Sequence, residues 1–152
     1  LAQVEGKIGF VNLDRILRDA APAQRAQKKI EAEFSKRDQE MARLAEQLKR
    51  TQEALEKNAM TMSDSERRNR EREFAEMNRE FQRKQREFRE DLNQRRNEEL
   101  SGILERANRV VRQIAEAEKF DIIFQEAVFA SPRIDITDKV IRALDDTTPG
   151  KK

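Results

Sequence analysis

The sequence contains no cysteine and no histidine, and it carries only four glycines and three prolines in 152 residues. Without cysteine there is neither a disulfide framework nor thiol chemistry, and the chain suits a reducing or an oxidising compartment equally. Without histidine the commonest general base and the commonest transition-metal ligand are both gone. No apolar run approaches the ~20 residues of a membrane-spanning helix. The chain opens Leu1-Ala2-Gln3 with no charged n-region and no apolar h-region, so any signal peptide is expected to have been removed from this numbering. Disordered chains are usually rich in glycine and proline, so their scarcity argues for order.

Charge dominates what remains. Charged residues are 41% of the chain and hydrophobic residues 36%, with a mean hydropathy of −0.99. Average domains carry about 25% charge. So little apolar surface cannot build one thick core, but it suits long helices rich in Glu, Arg, Gln, Lys, Ala and Leu. The 32 basic and 30 acidic residues leave a net charge of only +2. That balance does not describe a dedicated nucleic-acid binder, although a pI near 9.0 leaves room for anionic partners.

The pattern along the chain gives the architecture. Residues 7–13 (Lys-Ile-Gly-Phe-Val-Asn-Leu) read as a strand, and Asp14 to Ala20 as one or two helical turns. Pro22 then fits the first turn of a new helix. From Ala23 to about Ala59 there is no glycine or proline, and Phe34, Met41, Leu48 and Leu55 recur every seven residues, with Ile30 and Leu44 in part of a second seam. Ser63-Asp64-Ser65-Glu66 matches a capping box, so a second helix is predicted from near Ser63 to about Glu118, with Gly102 a weak point rather than a break.

The two seams test each other. In an antiparallel hairpin, facing residues are equidistant in sequence from the turn. Leu48 with Phe74, Met41 with Phe81, Phe34 with Phe88 and Ile30 with Leu92 are all centred on Thr61, where the capping signals independently place the turn. The helices would be roughly 55 and 80 Å long. Phe120 to Ala130 reads as one long strand or a bent pair, Ser131-Pro132 as a turn, and Arg133 to Ile136 as a short edge strand. Thr137 is expected to cap a final helix over Asp138 to Asp145.

The fold class is therefore mostly α with a small β body: a long antiparallel helical hairpin arm projecting from a strand-containing oligomerisation body. The body takes residues 1–22 and 100–146, the arm 23–99 with its tip near 60–63, and 147–152 reads as a flexible tail. Two or three short strands are marginal alone, and open sheet edges are a liability. Ile8, Phe10, Val11, Leu13, Ile122, Phe124 and Val128 are therefore candidates for contact with other copies in a closed cyclic assembly.

The sequence resembles the Skp/OmpH family of periplasmic outer-membrane-protein chaperones over nearly its whole length. The resemblance rests on Lys7-Ile8-Gly9-Phe10-Val11-Asn12-Leu13, the charged hairpin, Arg95-Arg96-Asn97-Glu98-Glu99, Phe120-Asp121-Ile122-Ile123, and Asp135-Ile136-Thr137-Asp138-Lys139-Val140-Ile141. It implies a homotrimer whose bodies share a β-barrel-like hub and whose arms enclose a cavity. It also implies a soluble periplasmic holdase for unfolded outer-membrane proteins that works without ATP. Contact with anionic lipid or lipopolysaccharide would then fall to Lys84, Arg95 and Arg96.

Residue by residue, the chemistry is that of binding. Met60 and Met62 at the tip offer flexible, polarizable contacts, or simply cover the turn. Arg67 and Arg68 beside them can steer acidic clients, or form a solvated face with helical ion pairs. Phe34, Phe74, Phe81 and Phe88 face each other and belong to the seam. Adjacent acidic residues such as Glu98-Glu99 do not converge on a helix, and no EF-hand, phosphate loop or dinucleotide fingerprint is present. The expectation is a binding protein with no cofactor, no metal and no catalytic residues. One rival is a structural coiled-coil scaffold. The other is a nucleic-acid binder along Arg67 to Arg96, weakened by the acidic residues that interleave there.

Overall fold

The computed structural model describes residues 5–146, so the tail expected at 147–152 lies outside the described residues. The element order is β1 (Ile8–Phe10), α1 (Leu13–Asp19), α2 (Ala21–Asn58), α3 (Asp64–Ala117), β2 (Ile122–Phe124) and α4 (Thr137–Asp145). The chain forms two compact units. One is built from the chain before Ile30 and after Arg95, the other from Ile30–Arg95.

The Ile30–Arg95 unit is the hairpin, in the expected register. The Phe34 and Phe88 rings meet edge to face with centroids 5.7 Å apart. Such a pair adds about 0.5–1.5 kcal/mol beyond its buried area. Leu48 and Ile30 are buried, and Phe74, Met77, Phe81 and Leu92 are half-buried along the seam. Arg37, which interrupts the α2 seam, is accommodated by stacking. Its guanidinium carbon lies 5.4 Å from the Phe34 centroid and 5.6 Å from that of Phe88, and its Nη2 pairs with Asp91 at 2.9 Å. The turn closes on Asn58, whose carbonyl accepts from the Thr61 and Met62 amides at 3.1 and 3.2 Å. The Glu66 amide donates to Ser63 Oγ at 3.2 Å, the hydroxyl half of the capping box. Asp64 and Glu66 place negative charge where the helix dipole favours it.

In the other unit, β1 and β2 run parallel, with Ile8 beside Ile122, Gly9 beside Ile123 and Phe10 beside Phe124. Beneath them a core forms from Val11, Ile16, Ala20, Ala107, Val110, Ile136, Val140 and Leu144, all buried. A smaller cluster joins Ala23, Ala26 and Ile103. Fully burying a side chain such as Ile16 or Leu144 stabilises the unit by about 1.5–3 kcal/mol. Gly9 is in the sheet because nothing larger fits. A Cβ there would sit 2.9 Å from Phe120 Cε1 and 3.3 Å from Ile123 Cγ1. Helix α3 runs unbroken through Gly102 and ends in a Schellman turn. The Phe120 amide donates to the Ala115 carbonyl at 2.9 Å, and Lys119 takes the left-handed conformation (φ 59°) that glycine usually supplies.

Four expectations are corrected here. The first strand is shorter than residues 7–13. After the Val11 amide donates to the Phe124 carbonyl, Asn12 turns away, accepts from the Arg15 amide at 3.1 Å and caps α1, so Leu13 is helical. Of Phe120 to Ala130 only Ile122–Phe124 is a strand, because beyond Phe124 no other described segment pairs with that stretch. Arg133 to Ile136 is not a strand. It crosses β1 at a single bridge between Phe10 and Asp135, held by hydrogen bonds from Phe10 N to Ile134 O and from Ile136 N to Phe10 O, each 2.8 Å. Thr137 is not an N-cap. The cap is Ile136, with no side-chain bond, and Thr137 is wholly buried as the first helical residue. Its hydroxyl accepts from the Asn12 amide at 2.9 Å and donates to Asp135 Oδ1, so it ties α4 to the start of α1.

Candidate functional site

Two surfaces carry the predicted site residues. The first is the outer face of the β1–β2 sheet. Side chains alternate across a strand, and parallel partners sit side by side, so Ile8, Phe10, Ile122 and Phe124 share one face. The opposite face presents Gly9 and Ile123 to the core. Ile8 and Ile122 are each 46% exposed and Phe124 45%, while Phe10 is half-buried. Val128 is fully exposed on the following loop, and next to it stands Phe129 at 81% exposure. Phe129 was not among the residues singled out from sequence for assembly. Val11 and Leu13 behave differently from the other five. Val11 is 3% exposed and fills the chain's own core, and Leu13 is half-buried against that core. A surface this apolar, left open, is the kind that marks contact with another protein.

The second surface is the hairpin turn. Met60 is 99% exposed. Met62 is half-buried and lines a groove of about 200 Å³ with Arg50, Thr51, Ala54, Leu55 and Arg70. Met62 packs against the turn, and Met60 is free of it. Arg67 bridges Asp64 at 3.3 Å and Glu71 at 3.9 Å along its own helix, whereas Arg68 is exposed. Further along α3, Arg83 is held between Glu80 and Glu87. The hydrogen bond and charge of Arg83 hold the Glu80 carboxyl below its ordinary range and raise the guanidinium in turn.

The predicted anion-contact residues are not equivalent. Lys84 and Arg95 lie in the hairpin unit, and Arg96 is the first residue of the other unit on α3. Arg95 grips Glu33 with two nitrogens at 3.0 and 3.2 Å, so its guanidinium is already engaged. Lys84 and Arg96 are exposed. Among the described residues no cluster of acidic side chains could hold a metal ion, and no helix is long and apolar enough to cross a membrane.

The order of strand, charged hairpin, strand and short final helix has a counterpart. The profile of the OmpH-like outer membrane protein family matches residues 7–144. The chain belongs to the OmpH-like family. Among solved structures, that of a proposed outer-membrane chaperone (OmpH-like) from Caulobacter crescentus CB15 is similar in fold. It has a TM-score of 0.79 at 17% identity, covering 97% of this chain and 88% of that one. No curated protein sequence matches the chain. For an OmpH-like chain, a hairpin with its seam spent on itself and a sheet with one bare apolar face are the features to explain.

Proposed function

We infer that this OmpH-like chain is an ATP-independent holdase of the periplasm. In this reading it assembles through the outer face of its β1–β2 sheet and holds unfolded outer-membrane proteins in a cavity between the helical hairpins of a homotrimer. The family match across residues 7–144 carries the inference. The geometry supports it in two ways. Ile8, Phe10, Ile122, Phe124 and Val128, with Phe129 added, form an apolar surface that a second copy would cover, with Val11 and Leu13 as its floor. The hairpin interior is already filled, so client contact falls to the turn: Met60 and Arg68 are exposed there, beside the half-buried Met62 and the ion-paired Arg67, with Lys84 and Arg96 open to anionic lipid or lipopolysaccharide and Arg95 committed to Glu33. Several weak contacts on linked hairpins bind together far more tightly than singly. No step requires bond chemistry.

The test is aggregation suppression. A urea-unfolded outer-membrane barrel is diluted into buffer without nucleotide, and light scattering is followed with increasing chaperone. Scattering should vanish near one oligomer per client. Undiminished scattering at molar excess would reject the holdase reading. A saturable complex with one folded partner, and none with unfolded barrels, would favour a coiled-coil scaffold. Solution mass tests the assembly separately: three chain masses are expected, and a single chain mass removes the cavity.

A further inference from the structure

Acidic and basic residues interleave along α3 in sequence, but on the helix five arginines and four glutamates gather on opposite sides of the seam, although Arg70, Arg83 and Lys84 fall on the glutamate side and Glu71 on the arginine side. Phe74, Phe81 and Phe88 mark the seam. With ~100° per residue, Arg72, Arg79 and Arg86 fall about 150° to one side of it, and Arg68 and Arg89 about 100° to the same side. Glu66, Glu73, Glu80 and Glu87 recur every seven residues about 100° to the other side. All of these residues lie on the exposed surface. The hairpin unit therefore has an arginine edge and a glutamate edge running along the same helix. Among the described residues none of the five arginines forms an ion pair, whereas Glu80 and Glu87 share Arg83.

The two edges have the same seven-residue spacing and are offset by a single residue: Arg72 beside Glu73, Arg79 beside Glu80, Arg86 beside Glu87. That offset is about 1.5 Å along the axis. Two copies of α3 laid parallel and level would thus bring one copy's arginine edge against the other's glutamate edge, with every rung in register. The contact is heterologous: each copy gives one edge and receives the other, so it can propagate around a ring. An arginine edge meant only for an anionic ligand would need no glutamate edge at the same spacing.

We propose that the hairpins of neighbouring copies close laterally on one another through these edges: the partner of the Arg68–Arg89 edge is the Glu66–Glu87 edge of a second copy of this chain. Exposed ion pairs are individually weak and screened by salt. The contact is therefore a reversible latch that low ionic strength closes. It does not depend on client binding.

Zero-length cross-linking tests this on the full chain. The R79K/R86K variant keeps the charge and supplies amines. It is co-refolded from equal amounts of ¹⁴N and ¹⁵N chains and treated with carbodiimide, and its peptides are read by mass spectrometry. Mixed-isotope links should join the amines introduced by R79K and R86K to Glu73, Glu80 or Glu87. Their yield should fall about fivefold or more between 20 mM and 1 M salt, where the screening length is ~3 Å. Reversal of one edge (R72E/R79E/R86E) should abolish mixed links at the remaining native lysines of the hairpin. Reversal of both edges (adding E73R/E80R/E87R) should restore them. Links confined to a single isotope, links indifferent to salt, or no rescue by the double reversal in a chain with wild-type circular dichroism would overturn the proposal. Binding of poly-L-glutamate to the arginine edge without mixed links would overturn it too, and would assign that edge to acidic clients.

Discussion

Replacing Gly9 with alanine adds one methyl group to the most constrained point of the sheet. The new Cβ would lie 2.9 and 3.1 Å from two ring carbons of Phe120 and 3.3 Å from Ile123. Neither neighbour yields freely. Phe120 closes the Schellman turn and carries Lys7 Nζ 4.3 Å above its ring centroid, while Ile123 is packed on the core. Forcing a methyl into such a space costs about 1–3 kcal/mol. The lower chain entropy of alanine in the unfolded state returns about 0.5–1 kcal/mol. The net expectation for Gly9→Ala is a loss of about 1–2 kcal/mol. With a urea slope near ~2 kcal/mol/M, the unfolding midpoint would fall by about 0.5–1 M. Equilibrium unfolding followed by circular dichroism reads this directly. The cause is checked by repeating the substitution in a Phe120→Leu background, where a coupling of about 0.5 kcal/mol or more should appear as the crowding is relieved. An unmoved midpoint, or the same penalty with and without the Phe120 ring, would refute the steric reasoning.

Phe88→Ala removes the ring that meets Phe34 and should destabilise the hairpin by about 2–4 kcal/mol, seen as faster amide exchange in residues 30–95. Lys119→Gly relieves a left-handed non-glycine residue and should raise stability by about 0.5–1 kcal/mol, measured by thermal unfolding. Glu80 should titrate below the ordinary glutamate value of 4.5 because Arg83 favours its charged form. Its folded-state pKa is depressed, so its contribution to stability is present above 4.5 and is lost as pH falls through the lowered value. A carbonyl-carbon NMR titration checks this, and Arg83→Met should return Glu80 to its ordinary value.

The hairpin was legible in the sequence because its information is periodic and redundant. Four facing pairs share one centre, and Phe34 against Phe88 would have exposed a slipped register at once. The strands were less legible. Phe120 to Ala130 has strand-forming residues throughout, but a strand exists only where a partner offers hydrogen bonds, and β1 is three residues long. Val11 looked like surface because its neighbours are, yet it lies just before the chain turns into α1 and packs into the core. Thr137 looked like a cap because threonine before an acidic residue usually is one. What redirected its hydroxyl was the Asn12 amide, distant in sequence and invisible to local rules. The apolar character of Ile8, Ile122, Phe124 and Phe129 was legible in the sequence, whereas their exposure is what the structure adds. The charge edges of α3 were hidden for the opposite reason: read in a line, the signs alternate, and only winding the helix sorts them.

Helix α2 opens without a local cap, and its first amide, that of Ala21, donates instead to Asp145 Oδ1 at 2.7 Å. β1 is likewise flanked by segments made much later, β2 on one side and the Ile134–Ile136 stretch on the other. During synthesis, then, the beginning of the chain waits for its end. The residues of the hairpin unit are all present once residue 95 has emerged, but β1 waits for β2 and the Ile134–Ile136 stretch, and the start of α2 waits for the last helix. A chain cut short before Asp145 would have a finished hairpin unit and an unfinished second unit, so damage at residue 145 would be felt at residue 21.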